Sequence, residues 1–263
     1  MLDRIFQCET FVFDLDGVVY KGKDLIPGAD EGLKLLKENG KRILFLTNSS
    51  AKGRESVAKK LVALGIDCEI WQVMTSATAS ALFVKEKGYK KIFVVGEAEL
   101  VQEVVKAGNT PTEDPSIADA LLVGIDFNFS YQKIADAMIC LENNCDFIAC
   151  NRDPNFPGDN GRSFPGCGSI VNAIETAVEK KADIYIGKPN IYILAKLLDD
   201  KVMPDAPITI VGDCLYSDIA LAVNAGLPSV YINQKKDLNC QSTNDFYECK
   251  SLFMLAQSIA CNA

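Results

Sequence analysis

Two aspartates separated by one residue follow a short apolar run near the start of the chain. The run is Thr10–Phe13 (TFVF), which mixes β-branched and aromatic residues without polar alternation and so predicts a strand buried on both faces. Asp14 and Asp16 come next, and residues at i and i+2 of an extended segment point the same way. Two carboxylates at one point repel each other, and their pKa values tend to separate unless a cation is present. The pair therefore fits a nucleophile beside an acid that later acts as a base, whereas an isolated D-x-D-G is usually a turn.

Further polar segments are predicted to follow strands of the same sheet. These segments are residues 47–49 (TNS), 188–189 (KP) and 212–218 (GDCLYSD). Binding sites in open α/β sheets form at the carboxyl ends of strands, so we expect the segments to meet Asp14 and Asp16 in one crevice. Thr47 suits a helix cap, and its hydroxyl beside helix-start N–H groups also suits a phosphate cradle. Taken alone, Lys188 would be a solvated surface lysine and Asp213 a turn residue, so only their combination indicates a site.

Strand and helix patterns alternate at both ends of the chain. The predicted elements there are strands 42–46, 208–211 and 229–232, and helices 29–38, 54–64 and 217–224. Alternation of this kind predicts an α/β fold with a doubly wound parallel sheet and helices on both of its faces.

A second complete set of elements lies between those two ends. Its predicted members are strands 91–95, 120–123 and 147–150 and helices 77–87, 99–107, 131–142 and 168–179. A segment of roughly 100 residues is long enough to build its own hydrophobic core. We therefore predict a discontinuous core of residues 1–76 and 184–263, with an α/β cap domain of residues 77–183 inserted into it.

Charge and composition exclude several classes of protein. The chain has 35 Asp and Glu against 27 Lys and Arg, and its net charge of -8 would repel a nucleic acid. It contains no histidine, which excludes Ser-His-Asp and Cys-His nucleophiles and phosphohistidine chemistry. Its 10 cysteines form no C-x-x-C, so we expect buried thiols in a reducing compartment rather than zinc ligands. Because no apolar run reaches roughly 18 residues and no signal-peptide pattern is present, we expect a cytoplasmic protein that binds no membrane.

The order of the motifs resembles that of the haloacid dehalogenase (HAD) superfamily. The chain contains D-x-D-G-V, then a strand with T-N, then G-K-P, then a strand with G-D-x-x-x-x-D. Segments of the predicted cap are similar to the subfamily that contains NagD, 4-nitrophenylphosphatase, phosphoglycolate phosphatase and pyridoxal phosphatase. These segments are residues 124–126 (GID), 151–153 (NRD) and 165–169 (PGCGS). The resemblance extends from about Phe11 to Gly226, and the residues beyond Asn233 support no functional inference.

This resemblance implies a role for each residue of the predicted crevice. Asp14 would be the nucleophile and a metal ligand. Asp16 would be the general acid and base, and also a metal ligand through its backbone carbonyl. Thr47 and Asn48 would contact the phosphate, and Lys188 would bind the phosphate and neutralise Asp14.

The resemblance also implies a magnesium site. Asp213 would complete the protein's share of the Mg²⁺ shell, and Asp218 would orient a metal-bound water or Lys188. The physical chemistry agrees, since a hard, oxygen-only ligand set suits Mg²⁺ and phosphoryl transfer needs mainly in-line positioning and neutralisation of charge.

The predicted activity is magnesium-dependent hydrolysis of a small soluble phosphomonoester through an aspartyl-phosphate on Asp14. A phosphotransferase or phosphomutase would use the same intermediate, whereas a binding protein without turnover would have no reason to keep both carboxylates. Because core residues touch only the phosphate, we predict that Asn151, Arg152 and Asp153 of the cap select the leaving group. The identity of the substrate and the oligomeric state, monomer or homodimer, remain open.

Overall fold

Strands and helices alternate along most of this computed structural model, which describes residues 2–158, 162–199, 207–234, 241–242 and 246–262. The strands are β1 (Thr10–Phe13), β2 (Tyr20–Lys21), β3 (Asp24–Leu25), β4 (Arg42–Thr47), β5 (Val73–Thr75), β6 (Lys91–Val95), β7 (Thr110–Thr112), β8 (Ala120–Val123), β9 (Asp146–Ala149), β10 (Asn155–Pro157), β11 (Ser163–Pro165), β12 (Ile184–Tyr185), β13 (Ile208–Gly212), β14 (Ser229–Ile232), β15 (Gln241–Ser242) and β16 (Tyr247–Cys249). The helices are α1 (Leu2–Phe6), α2 (Ala29–Glu38), α3 (Arg54–Ala63), α4 (Ser76–Glu86), α5 (Ala98–Lys106), α6 (Tyr131–Glu142), α7 (Cys167–Val178), α8 (Ile191–Asp199), α9 (Ala220–Ala225) and α10 (Leu252–Ala260). The predicted α/β class is confirmed, because the main strands are parallel and alternate with helices.

The first of two compact units contains residues 1–47, 58–74 and 188–263. Its described strands form a sheet in the order β15-β16-β14-β13-β1-β4-β5. β1 pairs in parallel with β13 on one side and with β4 on the other, so that Phe13 is level with Val211 and with Phe45. All of β1 is buried, as its unbroken apolar run predicts. The carboxyl ends of these strands lie side by side, about 5 Å from one to the next, which brings Asp14, Thr47 and Asp213 to one edge.

The last described residues complete the core of this unit. α10 buries Leu252, Leu255 and Ile259 and packs against α2, which buries Leu33 and Leu36. The side chain of Ser251 accepts the Met254 N–H at 3.2 Å and so caps the start of α10. The segment for which we made no functional prediction therefore has a structural role.

The second unit contains residues 48–57 and 75–187. Its described strands form a parallel sheet in the order β12-β9-β8-β6-β7, with the fully buried β8 at the centre. Compared with the predicted cap of residues 77–183, this unit extends to residues 75–76 and 184–187, and the main difference is that it also includes residues 48–57, which follow β4. Hydrogen bonds explain the difference, because the Ser50 hydroxyl accepts the Ile125 N–H at 2.9 Å and Lys52 pairs with Glu99 at 2.7 Å.

The prediction that Lys188 follows a strand of the first sheet is wrong. The strand before it, β12, pairs in parallel with β9 and so belongs to the second sheet. A short apolar run such as Ile184–Ile186 has the same local pattern in either sheet. Only its pairing with Ile148 and Ala149 assigns it to the second one.

Two expectations from composition concern cysteines and membrane spans. Among the cysteines in the described part of the chain, all but Cys214 and Cys261 are buried, and all are free thiols. None of the helices in the described part of the chain is both long and apolar enough to cross a bilayer.

Candidate active site

Lys188 lies between the buried carboxylates of Asp14 and Asp218, where the strands of the first sheet reach their carboxyl ends. Its Nζ donates to Asp14 Oδ1 and to Asp218 Oδ1 at 2.6 Å each, and to the Leu46 carbonyl at 3.3 Å. The side chains of Lys188 and Asp218 are only 3% and 1% exposed, so solvent screens these ion pairs little. Burial alone would lower the pKa of Lys188, but Asp14 and Asp218 outweigh burial and raise that pKa. The ammonium therefore stays charged and offsets part of the negative charge at Asp14.

The carboxylate of Asp213 lies against the backbone of Gly17. A Cβ on Gly17 would be 1.9 Å from Asp213 Oδ2, and the φ of Gly17 is +86°, so only glycine fits here without displacing the carboxylate. Burial raises the pKa of Asp213 to about 6, and Asp218 adds to the rise while Lys188 opposes it. The glycine of the D-x-D-G sequence is thus explained by the close approach of the Asp213 carboxylate, which directly follows β13.

Asp218 reaches Lys188 from a π-helical turn, Leu215–Ile219, that precedes α9. The predicted regular helix at 217–224 is therefore wrong at its start. The Cys214 N–H donates to Asp218 Oδ2 at 3.1 Å, and a side chain that binds nearby backbone competes with regular helical pairing. A Cβ on Gly212 would be 2.2 Å from Asp218 Cβ, so glycine is also needed here for the carboxylate to fit.

Asp14, Asp213 and Asp218 form a candidate metal site among the described residues. One carboxylate oxygen from each lies within 4.8 Å of the other two. Burial raises the pKa of both Asp14 and Asp213, and neighbouring carboxylates add to the rise while Lys188 opposes it. An oxygen-only donor set with excess negative charge fits a hard divalent cation such as Mg²⁺. The predicted side-chain ligands Asp14 and Asp213 belong to this group, while Asp16 was expected to contribute only its backbone carbonyl.

The neighbours of the Asp16 side chain include a lysine that the sequence analysis missed. Lys60 of α3 places its Nζ 3.2 Å from the centroid of the Tyr20 ring, a cation–π contact. Burial raises the pKa of Asp16, and Lys60 and Lys188 lower it in part. Burial likewise lowers the pKa of Lys60, against the attraction of Asp16. A lysine inside a helix belongs to no motif, so no sequence signal pointed to Lys60.

Thr47 ends β4 and is 3% exposed. Since Phe45 of β4 is level with Phe13 of β1, Thr47 lies beside the segment that begins at Asp14. The first unit thus brings Asp14, Thr47 and Lys188 together with Asp213 and Asp218 at one sheet edge.

The other predicted site residues lie in the second unit. Asn48 Nδ2 donates to Asp153 Oδ2 at 3.0 Å, and the Asn48 carbonyl accepts from Asn151 Nδ2 at 2.6 Å. Arg152 is exposed and places its guanidinium carbon 4.3 Å from the centroid of the Tyr185 ring. Asn151 and Asp153 therefore bind Asn48, a residue that is predicted to contact the phosphate. Arg152 takes no part in these hydrogen bonds.

Family models and known proteins match most of the chain. Residues 11–110 match the haloacid dehalogenase-like hydrolase model, and residues 185–243 match a second model described as HAD-hydrolase-like. Phosphoglycolate phosphatase 1A, chloroplastic, from Arabidopsis thaliana is 31% identical over 248 residues, which cover 85% of this chain and 68% of the relative.

Solved structures agree with the sequence matches. A 4-nitrophenylphosphatase from Thermotoga maritima is 31% identical with a TM-score of 0.87, covering 97% of this chain and 99% of that one. A glycerol phosphate phosphatase from Mycobacterium tuberculosis, solved in complex with magnesium, is 29% identical with a TM-score of 0.78, covering 86% of this chain and 68% of that one. The chain therefore belongs to the haloacid dehalogenase-like hydrolases and, within them, to the phosphoric monoester hydrolases of the NagD and 4-nitrophenylphosphatase type.

Proposed function

We propose that this phosphatase hydrolyses a small phosphomonoester through an aspartyl-phosphate on Asp14 and requires Mg²⁺. The observation that supports this most is the position of the Asp14 carboxylate, 2.6 Å from the Lys188 ammonium and within 4.8 Å of the carboxylates of Asp213 and Asp218. A nucleophile held beside a fixed positive charge and a candidate cation site meets the main needs of phosphoryl transfer, namely positioning and neutralisation.

In the first step, an oxygen of Asp14 attacks phosphorus and the bond from phosphorus to the leaving oxygen breaks. Asp16 gives its proton to that oxygen, and a pKa raised by burial suits a carboxyl group that must carry a proton at this point. In the second step, Asp16 takes a proton from water as the water oxygen attacks phosphorus. The bond between phosphorus and Asp14 breaks, which regenerates the carboxylate and releases inorganic phosphate.

Lys188 is charged when the first step begins, because Asp14 and Asp218 raise its pKa. Asp14 and Asp213 would hold the Mg²⁺ together with the Asp16 backbone carbonyl, while Asp218 keeps Lys188 oriented. A bound Mg²⁺ supplies charge neutralisation for the phosphate oxygens. Thr47 would donate its hydroxyl to the same phosphate.

The substrate class follows from what the relatives are named for. Phosphoglycolate, glycerol phosphate and 4-nitrophenyl phosphate are all small phosphomonoesters. We propose a substrate of that size for this chain. A panel of such esters, assayed for released phosphate, identifies which of them is preferred.

The experiment that tests the mechanism uses Asp16→Asn with 4-nitrophenyl phosphate. Its leaving group needs little protonation, so Asp14 should still be phosphorylated while hydrolysis of the adduct slows. Peptide mass spectrometry after acid quench should find the phosphate on Asp14. An adduct on another residue would contradict the mechanism, and transfer of the phosphate to an added alcohol in preference to water would indicate a phosphotransferase.

A further inference from the structure

Asn48 is held on two sides by the loop that follows β9. Its side-chain Nδ2 donates to Asp153 Oδ2 at 3.0 Å, and its carbonyl accepts from Asn151 Nδ2 at 2.6 Å. The same carbonyl also accepts from the Ser76 hydroxyl at 2.8 Å. Asn48 is thus bound by partners from distant parts of the second unit.

The loop is itself fixed by the amide of Asn151. Asn151 is 3% exposed, and its Oδ1 accepts the Asp153 N–H at 3.0 Å while its Nδ2 donates to Asn48. The buried side-chain amide of Asn151 therefore donates to the Asn48 carbonyl and accepts from the Asp153 N–H. Amide groups satisfied at both ends favour a single arrangement, because an alternative would leave a buried polar group unpaired.

A third contact fixes the other end of the Asn48 side chain. A Cβ on Gly187 would be 2.6 Å from Asn48 Oδ1 and 2.8 Å from the Cys150 carbonyl. Gly187 thus leaves room for the Asn48 amide oxygen, while Asp153 holds the amide nitrogen. The orientation of the whole amide is therefore set within the second unit.

These contacts change the role expected for two of the three predicted cap residues. We propose that Asn151 and Asp153 are positioning residues that orient Asn48 for the phosphate, and that they do not select the leaving group. The proposal rests on the proposed function and on the contact that the family resemblance implies between Asn48 and the phosphate, the group that every substrate shares.

The test compares Asp153→Ala with the parent protein. Inorganic phosphate, titrated calorimetrically in the presence of Mg²⁺, should bind about tenfold more weakly, since an oriented hydrogen bond to a charged ligand is lost. The KM values for 4-nitrophenyl phosphate, phosphoglycolate and glycerol phosphate should rise by a common factor, with smaller changes in kcat. Asp153→Asn keeps an acceptor oxygen for Asn48 Nδ2, so it should restore affinity to within about threefold of the parent.

Asp119→Ala is the matched control. Asp119 is another carboxylate of the second unit that accepts N–H groups, from Lys90 at 2.7 Å and Lys91 at 3.0 Å, but it precedes β8 and therefore lies at the amino edge of the sheet. Its loss should leave phosphate affinity unchanged. If Asp153→Ala fails to fold, Asp153→Ser is measured in its place, because the shorter hydroxyl does not reach Asn48.

The double variant Asn48→Ala/Asp153→Ala separates positioning from an independent effect. If Asp153 acts through Asn48, the double variant should bind phosphate as weakly as Asn48→Ala alone. Additive losses would overturn the proposal, as would unchanged phosphate affinity in Asp153→Ala or KM changes that differ more than tenfold among the esters. A parent protein that binds phosphate without hydrolysing any ester would contradict the proposed function and leave this affinity comparison valid.

Discussion

The two sheets differ in the kind of polar group that is buried at the carboxyl ends of their parallel strands. The first sheet buries an ammonium between carboxylates, Lys188 with Asp14 and Asp218. The second buries the neutral amide of Asn151, which joins Asn48 to Asp153. Buried ion pairs contribute little to stability because desolvation offsets their attraction, whereas satisfied amides orient their partners at lower cost. The first edge thus holds fixed charges, which the proposed chemistry requires, and the second holds neutral groups in fixed orientations.

The largest effect on activity should come from removing Asp14, the proposed nucleophile at the carboxyl ends of the first sheet's strands. Asp14→Asn should lower turnover of 4-nitrophenyl phosphate by at least ~10³-fold, because the amide cannot form the covalent intermediate. Thermal unfolding followed by circular dichroism should show a folded protein. Near-parental turnover in this variant would contradict the assignment of Asp14.

Removal of the metal should lower activity by a similarly large factor. Excess EDTA should abolish phosphate release, since Asp14, Asp213 and Asp218 place excess negative charge beside an anionic substrate. Added Mg²⁺ should restore activity, and Ca²⁺ should restore it poorly because its shell is larger and looser. Full turnover in excess chelator would show that the carboxylate group is not a metal site.

Loss of the buried ammonium should destabilise the fold as well as the site. Lys188→Met leaves Asp14 and Asp218 without their shared partner, and breaking a buried pair from one side costs about 3–5 kcal/mol. Urea unfolding measures this cost. Lys196→Met is the matched control, because Lys196 pairs with the largely exposed Asp199 and its loss should cost no more than about 1 kcal/mol. Equal losses in the two variants would remove the distinction between buried and exposed pairs.

Gly17→Ala tests whether backbone shape positions the metal site. The new Cβ would be 1.9 Å from Asp213 Oδ2, so the carboxylate must move and activity should fall by roughly 10–100-fold. Gly40→Ala has a similar positive φ, +73°, with nothing within 4 Å of its Cβ. Both variants should lose about 1–2 kcal/mol of stability from left-handed strain, and only Gly17→Ala should lose activity.

The smallest effect should come from Arg152, the exposed member of the predicted selectivity loop. Its guanidinium stacks on Tyr185 and does not join the Asn48 contacts, so we keep it as the residue that selects the leaving group. Arg152→Ala should change kcat/KM by no more than about tenfold, and by different factors for different esters. Arg152→Lys keeps the charge without the planar stacking group and separates the two contributions. A uniform change across the panel would contradict the selectivity role.

Much of the fold was predictable because its signals are local. The strand at Thr10–Phe13 and the helices 29–38 and 131–142 have the predicted bounds, since buried runs and helical periodicity span only a few residues. Elements with weak patterns were missed, including β5 and the short pair β10 and β11. The π-helical turn before α9 was also missed, because it depends on a hydrogen bond from Cys214 to Asp218 that periodicity does not encode.

The amino-acid sequence by itself determined which chemical groups are available to this enzyme. It provides the carboxylates of Asp14 and Asp16 and the ammonium of Lys188, and it contains no histidine. Motif order was enough for the family, because the residue types that handle phosphate recur at fixed places relative to strands. Only the tertiary structure decided which groups are neighbours. Lys188 follows a strand of the second sheet and still reaches Asp14, 174 residues earlier. The Lys60 ammonium lies over the Tyr20 ring, although Lys60 belongs to no motif. Such contacts depend on how distant segments pack, and a local sequence pattern contains no information about packing partners far along the chain.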